Sequence, residues 1–244
     1  MTDPPPPNPT TTTPITDPDS FLPPTIAFPT QNLAFRRLPS PPLTSYRRDA
    51  PAKAGCCISA ARSNLTAEEE GGELFVMKLK IPPPSSSSSP SPATAAEIHA
   101  LGVFREQRVR GVPWLVAGRC LWVGGVVVWC VVMTRVAGVD LMRGGFWGMG
   151  EGVKEEVREG FLGVLREVWR VGFAPSDRAL RNVLWDAETR RVGIVDFEHY
   201  EVVAPGAVVN LDPVGELRAW GLASRPAASH WAVERGLVRE YHRR

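Results

Sequence analysis

The sequence predicts an α+β fold, and three observations carry that reading. LFVMKLKI, residues 74–81, alternates as a half-buried strand does. Residues 151–171 put Val153, Val157, Phe161, Leu165, Val168 and Trp169 on one helical stripe, with Lys154, Glu155, Arg158, Glu159 and Arg166 mostly off it. Near the far end, the apolar runs Val183 to Trp185 and Val192 to Val195 flank the polar DAETRR, which is the pattern of an antiparallel hairpin. With 244 residues, 43% of them hydrophobic, the chain is long enough for one sizeable core.

Composition divides the chain. Of 24 prolines, 19 lie within residues 1–92, whereas all 8 tryptophans lie at Trp114 or later. Residues 1–42, Pro- and Thr-rich, bury too little apolar surface to offset the entropy of ordering and read as a disordered tail. From Ser45 the pattern changes: KAGCCISAARS holds a lone Gly55, an acidic turn covers 68–72, and the strand at 74–81 follows. PPPSSSSSPSP, residues 82–92, is a low-complexity surface loop.

After that loop, AAEIHALGVFREQ sets Ala96, Ala100 and Phe104 on one face, with Ile98 and Leu101 beside it, and predicts a short helix ending before Gly111 and Pro113. The uncharged run Cys120 to Thr134 has 15 residues, too short for a membrane span of about 20, and reads as two buried strands joined at Gly124-Gly125. Met133 to Leu141 is a connector, and RGGFWGMG, residues 143–150, is too glycine-rich for regular structure. Gly172 ends the long helix. The last stretch from Gly215 predicts one or two amphipathic helices, with Trp220, Leu222, Trp231 and Val233 available to cover the hairpin.

Several function classes are disfavoured. A net charge of +2 gives no general pull toward nucleic acid or an anionic membrane. The 4 cysteines show no metal-binding spacing and no disulfide framework. The absence of a basic segment leading into an apolar one at Met1 gives the expectation of a cytoplasmic or nuclear setting.

The hairpin carries the chemistry. Because its strands run opposite ways, Asn182 at the entry and Asp196 at the exit lie side by side at one open end, and Asp177 sits on the loop leading there. Mg²⁺ takes hard oxygen ligands from one or two side chains plus substrate phosphates, which Asn182 and Asp196 would supply. An Asp five residues before the Asn, not itself a ligand, suits a group that orients or accepts a proton from an attacking hydroxyl.

These residues resemble the protein kinase-like superfamily, whose catalytic loop has an Asp, four residues and an Asn, followed by a hairpin and a DFG motif. Here the parts read Asp177-Arg178-Ala179-Leu180-Arg181-Asn182 and Asp196-Phe197-Glu198. The chain is most similar to short, divergent kinase-like proteins of filamentous fungi, with a phrase such as DLRxxNVL followed by IDFE. The resemblance covers about residues 45–200 and implies a compact bilobal fold: a small β-rich lobe over 45–135, interrupted by 82–92, and a reduced helical lobe over 136–244. It implies ATP and Mg²⁺ as cofactors, with Lys78 on the α- and β-phosphates, Glu97 as its partner, Gly55 in the loop over the phosphates and Met133 opening the hinge that holds adenine. Lys80 faces the same side of the strand as Lys78 and is the alternative phosphate lysine. Arg181 is the available cation for the transferring phosphoryl group, and the acceptor is a protein or small molecule that the residues do not name.

Departures from the family pattern are Pro175 in place of a His, Glu198 in place of Gly, Ala179 in place of a common Lys, a single glycine in the phosphate loop, and no peptide-binding helical subdomain after Asp196. They support an alternative, a pseudokinase acting as a binding or scaffold module. A third reading is an unrelated α+β interaction domain whose Asp and Asn are turn residues. The insert at 82–92 falls between Lys78 and Glu97 and threatens their pairing.

Overall fold

The computed structural model describes residues 25–28, 33–37, 56–63, 74–80, 89–123, 126–204 and 211–223. It is an α+β structure. A six-stranded antiparallel sheet is built from β1 (Thr25–Phe28), β2 (Leu33–Arg37), β3 (Cys56–Ser63), β4 (Leu74–Lys80), β5 (Leu115–Val123) and β6 (Val126–Thr134), in the order β1-β2-β3-β4-β6-β5. Two strands thus fall inside the span read as a tail, and the tail assignment is corrected at residues 25–28 and 33–37. TIAF and LAFRR each place apolar residues at alternate positions, enough for a hairpin once a sheet edge is present to receive it; β2 pairs with β3, and Ile26 is buried.

The two faces of the sheet differ. Phe75, Met77 and Leu79 of β4 point to one side and join Ile26, Ala117, Val128, Cys130 and Val132 in a compact apolar cluster. Val76, Lys78 and Lys80 point to the other, where helix α1 (Pro92–Glu106) packs against β5 and β6. Helix α1 starts where Ser91 Oγ accepts from Thr94 N–H at 3.2 Å with Pro92 in the first turn, and it buries Glu97, Ala100, Leu101 and Phe104. β5 and β6 pair directly in the register Val123↔Val126, as the uncharged run predicts.

The rest of the chain adds β7 (Val139–Asp140), a 3₁₀ turn at Phe146–Gly148 within the glycine-rich stretch, and helix α2 (Glu151–Arg170). Then come β8 (Phe173–Pro175), a 3₁₀ turn at Leu180–Asn182, β9 (Val183–Asp186), β10 (Arg191–Ile194), β11 (Tyr200–Val202) and helix α3 (Pro213–Ala219). Helix α2 lies on β10, and Gly160 allows the approach: a Cβ there would stand 2.8 Å from Val192 Cγ2. Lys154 departs from the predicted stripe, being buried against the Trp147 ring and paired with Glu151. Trp220 also departs from its expected place over the hairpin: its ring stacks edge-on against Phe161 of α2 at 5.1 Å, and Arg158 of the same helix donates to Leu222 O. Trp220 and Leu222 belong to the same buried cluster as Trp185 and Val192 of the hairpin and Phe161 and Leu165 of α2. Trp231 and Val233 lie outside the described residues.

Candidate functional site

β4 and α1 bring the first pair together. Lys78 Nζ lies 2.5 Å from Glu97 Oε1, so the pairing forms across the insert, whose residues 81–88 lie outside those described. Lys80, two residues on and on the same face, reaches the other oxygen of the same carboxylate at 2.7 Å. The two lysines differ in their further partners: Lys78 also donates to Asp196 Oδ1 at 3.0 Å and to Glu198 Oε1 at 3.3 Å, whereas Lys80 pairs with Glu198 Oε1 at 3.0 Å. Met133 is the second-last residue of β6, with a buried side chain in register with Val76, and the chain leaves the sheet after Thr134, which pairs with Phe75. Gly55 lies outside the described residues.

The hairpin register is Val183↔Ile194, and Val195 N–H donates to Asn182 O at 2.9 Å, which sets Asn182 at the end of the hairpin next to Asp196. Asp196 has φ of +71°, the left-handed region that Asp tolerates better than most side chains. Phe197 holds the segment in place: it is fully buried and meets Phe104 of α1 edge-on at 4.6 Å. Asp196 and Glu198 therefore stand on either side of an anchored ring, and both face β4. Burial works to raise the Asp196 carboxyl, but Lys78, through charge and hydrogen bond, together with Lys80 and Arg181, holds it below the usual carboxylate range.

The Asp177 loop is fixed at both ends. β8 pairs with β11, and Ser176 N–H donates to His199 O at 3.0 Å. Pro175, which stands where the family pattern has His, is a buried member of β8, so backbone pairing supports the loop that a side chain would otherwise buttress. Asn182 Nδ2 donates to Asp177 O at 2.9 Å and Oδ2 at 3.2 Å, so its amide oxygen is the atom that could serve as a ligand. Arg181 Nη2 lies 2.6 Å from both carboxylate oxygens of Asp177. A little further out, Glu216 of α3, itself buried, forms an ion pair with Arg178 and accepts from Trp220 Nε1.

The sequence reading omitted two relationships: Lys80 as a second partner of Glu97, and Glu198 as a partner of both lysines, at 3.3 Å from Lys78 Nζ and 3.0 Å from Lys80 Nζ. A signal was present, since an extra lysine at the i+2 position of one strand and an acid in place of glycine are opposite charges in excess. Glu97, Asp196 and Glu198 bring one oxygen each within 4.8 Å of one another. Hard oxygens of this kind could hold Mg²⁺, although Glu97 is committed to two ammonium groups and Asp196 and Glu198 each pair with a lysine as well.

Neither a protein-family model nor a curated protein matches the chain. Among the described residues no helix is long and apolar enough to cross a membrane.

Proposed function

We propose that the chain is an ATP-binding, protein kinase-like phosphotransferase with two lobes, moving the terminal phosphoryl group of ATP to a hydroxyl acceptor. What carries the reading is the meeting of three charged side chains from distant elements: Lys78 reaches Glu97, 19 residues away, and Asp196, 118 residues away. A strand lysine held by a helix carboxylate beside a metal-binding aspartate is the arrangement that phosphoryl transfer requires, because catalysis there is mainly positioning and charge neutralisation.

In this reading Lys78 binds the α- and β-phosphates and Glu97 orients it. Asp196 and Asn182 would hold Mg²⁺, which would supply charge neutralisation for the phosphates. The acceptor oxygen forms a bond to the γ-phosphorus as the bond from that phosphorus to the β,γ-bridging oxygen breaks; ADP leaves, and the hydroxyl proton passes to Asp177. Thermal-shift titration with ATP, with and without Mg²⁺, tests this. A binding-linked gain of about 2.7 kcal/mol is expected at ligand 100 times Kd, and its Mg²⁺-dependent part disappears in Asp196→Asn. No shift in the wild type would remove the proposal.

One observation favours a second reading, a pseudokinase that binds nucleotide without turnover: Arg181 occupies both oxygens of Asp177, the group that has to take the proton. ATP-dependent transfer abolished by Asp177→Ala would decide for the enzyme.

A further inference from the structure

We propose, resting on the nucleotide-binding reading above, that Glu198 is a resident anion on the phosphate lysine, which an incoming polyphosphate displaces onto Lys80. An ammonium group has three N–H donors. At Lys78 Nζ three carboxylate oxygens stand within reach, from Glu97 at 2.5 Å, Asp196 at 3.0 Å and Glu198 at 3.3 Å. A phosphate oxygen therefore binds Lys78 in exchange for one of them.

Glu198 is the one that leaves. Glu97 is locked, with 1% of its side chain exposed and a lysine on each oxygen. Asp196 is set by its backbone turn and by the buried Phe197 that follows it. Glu198 makes the longest of the three contacts to Lys78, and the same Oε1 already lies 3.0 Å from Lys80; exposure does not separate it from Asp196, at 28% against 34%. On leaving Lys78 it keeps a cation. Charge balance points the same way: three carboxylates face two ammonium groups, so the cluster carries an excess negative charge that opposes an anionic ligand until Glu198 moves aside.

The experiment uses the full chain and two probes, ATP and inorganic tripolyphosphate, titrated calorimetrically with and without Mg²⁺ against wild type, Glu198→Gln, Lys80→Met and the double variant. Removing the competing charge should tighten Mg²⁺-free binding of both probes by about tenfold in Glu198→Gln. Lys80→Met should weaken binding, since Glu198 then has nowhere to go, and that loss should shrink in the Glu198→Gln background. Equal losses in both backgrounds would mean that Lys80 binds phosphate directly and would overturn the exchange. So would unchanged or weaker binding in Glu198→Gln, including weakening confined to Mg²⁺, which would make Glu198 a metal ligand. Should Glu198→Gln not fold, Glu198→Ala carries the same expectation. If the wild type binds neither probe and Glu198→Gln does not either, the nucleotide reading falls together with the exchange; wild-type binding that the substitution leaves unimproved removes the exchange alone.

Discussion

The Glu97 carboxylate is shared by two lysines of one strand, Lys78 Nζ at 2.5 Å from one oxygen and Lys80 Nζ at 2.7 Å from the other, with all three side chains buried. Removing one member of a buried ionic group leaves the rest desolvated and uncompensated, which costs more than the group contributes when whole. Glu97→Ala removes the fully buried carboxylate of the cluster and leaves Lys78 to Asp196 and Lys80 to Glu198, whose side chains are partly exposed. It should lower the unfolding free energy by about 3 kcal/mol, the low end for a buried pair that loses one partner, read as a shift in the urea midpoint. A loss below about 1 kcal/mol would show that Asp196, Glu198 and water compensate the lysines fully.

Two glycines should respond to alanine with opposite signs. Gly138, between β6 and β7, has φ of +111°, and a Cβ there would stand 2.6 Å from the carbonyl carbon and oxygen of Trp185. Backbone cannot yield as a side chain does, so Gly138→Ala should destabilise by about 2 kcal/mol or more. Gly163, inside α2, has nothing within 4 Å of a built Cβ, and Gly163→Ala should stabilise by about 0.5 to 1 kcal/mol. Thermal melts of the two variants beside the wild type check both; the same sign in each would refute the steric account of Gly138.

What was legible in the sequence is what local periodicity and short spacing encode. The stripe of α2, the β9–β10 hairpin and the adjacency of Asn182 and Asp196 follow from repeats of 3.6 and 2 and from antiparallel geometry. The β1–β2 hairpin did not stand out, because proline-rich flanks dominate the composition of a segment whose strands are 4 and 5 residues long. The place of Trp220 on Phe161 depends on where the chain returns after β11, a tertiary fact that no window of sequence contains. Glu198 was readable as a departure from a pattern, but its value depends on Lys80, 118 positions away, and such compensation between distant charges is visible once the strand and the hairpin end face each other.

Cys130 gives a test of the sheet core. It is fully buried in β6, and burial pushes its thiol up to about 12, with the charge of Arg119 opposing only part of this. The folded protein thus holds the proton over a range in which the unfolded chain, with a thiol pKa of about 8.5, releases it. The sign follows: the native state binds more protons, so this group's contribution to stability is intact below pH about 8.5 and declines, by up to about 1 kcal/mol per pH unit, as pH rises toward 12. At pH 8 an alkylating reagent should modify the half-buried Cys120 in the native state and reach Cys130 only after denaturation, as read by peptide mass mapping. Native labelling of Cys130 at the rate of Cys120 would mean that β5 and β6 open readily.

Arg181 and Asp177 give the sharpest test of chemistry. A guanidinium with one nitrogen 2.6 Å from each carboxylate oxygen fixes the orientation of Asp177 and stabilises its charge, and Asn182 Nδ2 holds the same carboxylate from another side. In the proposed reaction the clamp positions the proton acceptor without touching the bound nucleotide's adenine. Arg181→Ala should therefore lower kcat by about a hundredfold, the scale of misplacing a reacting group by an ångström, while KM for ATP changes little. Arg181→Lys should restore part of it, because one guanidinium nitrogen holds both oxygens and an ammonium group can stand in for it, less firmly placed on its flexible stem. Steady-state ADP release in the three proteins separates the outcomes: an unchanged kcat in Arg181→Ala would remove the clamp from the mechanism, and a raised kcat would identify Arg181 as an inhibitor of Asp177.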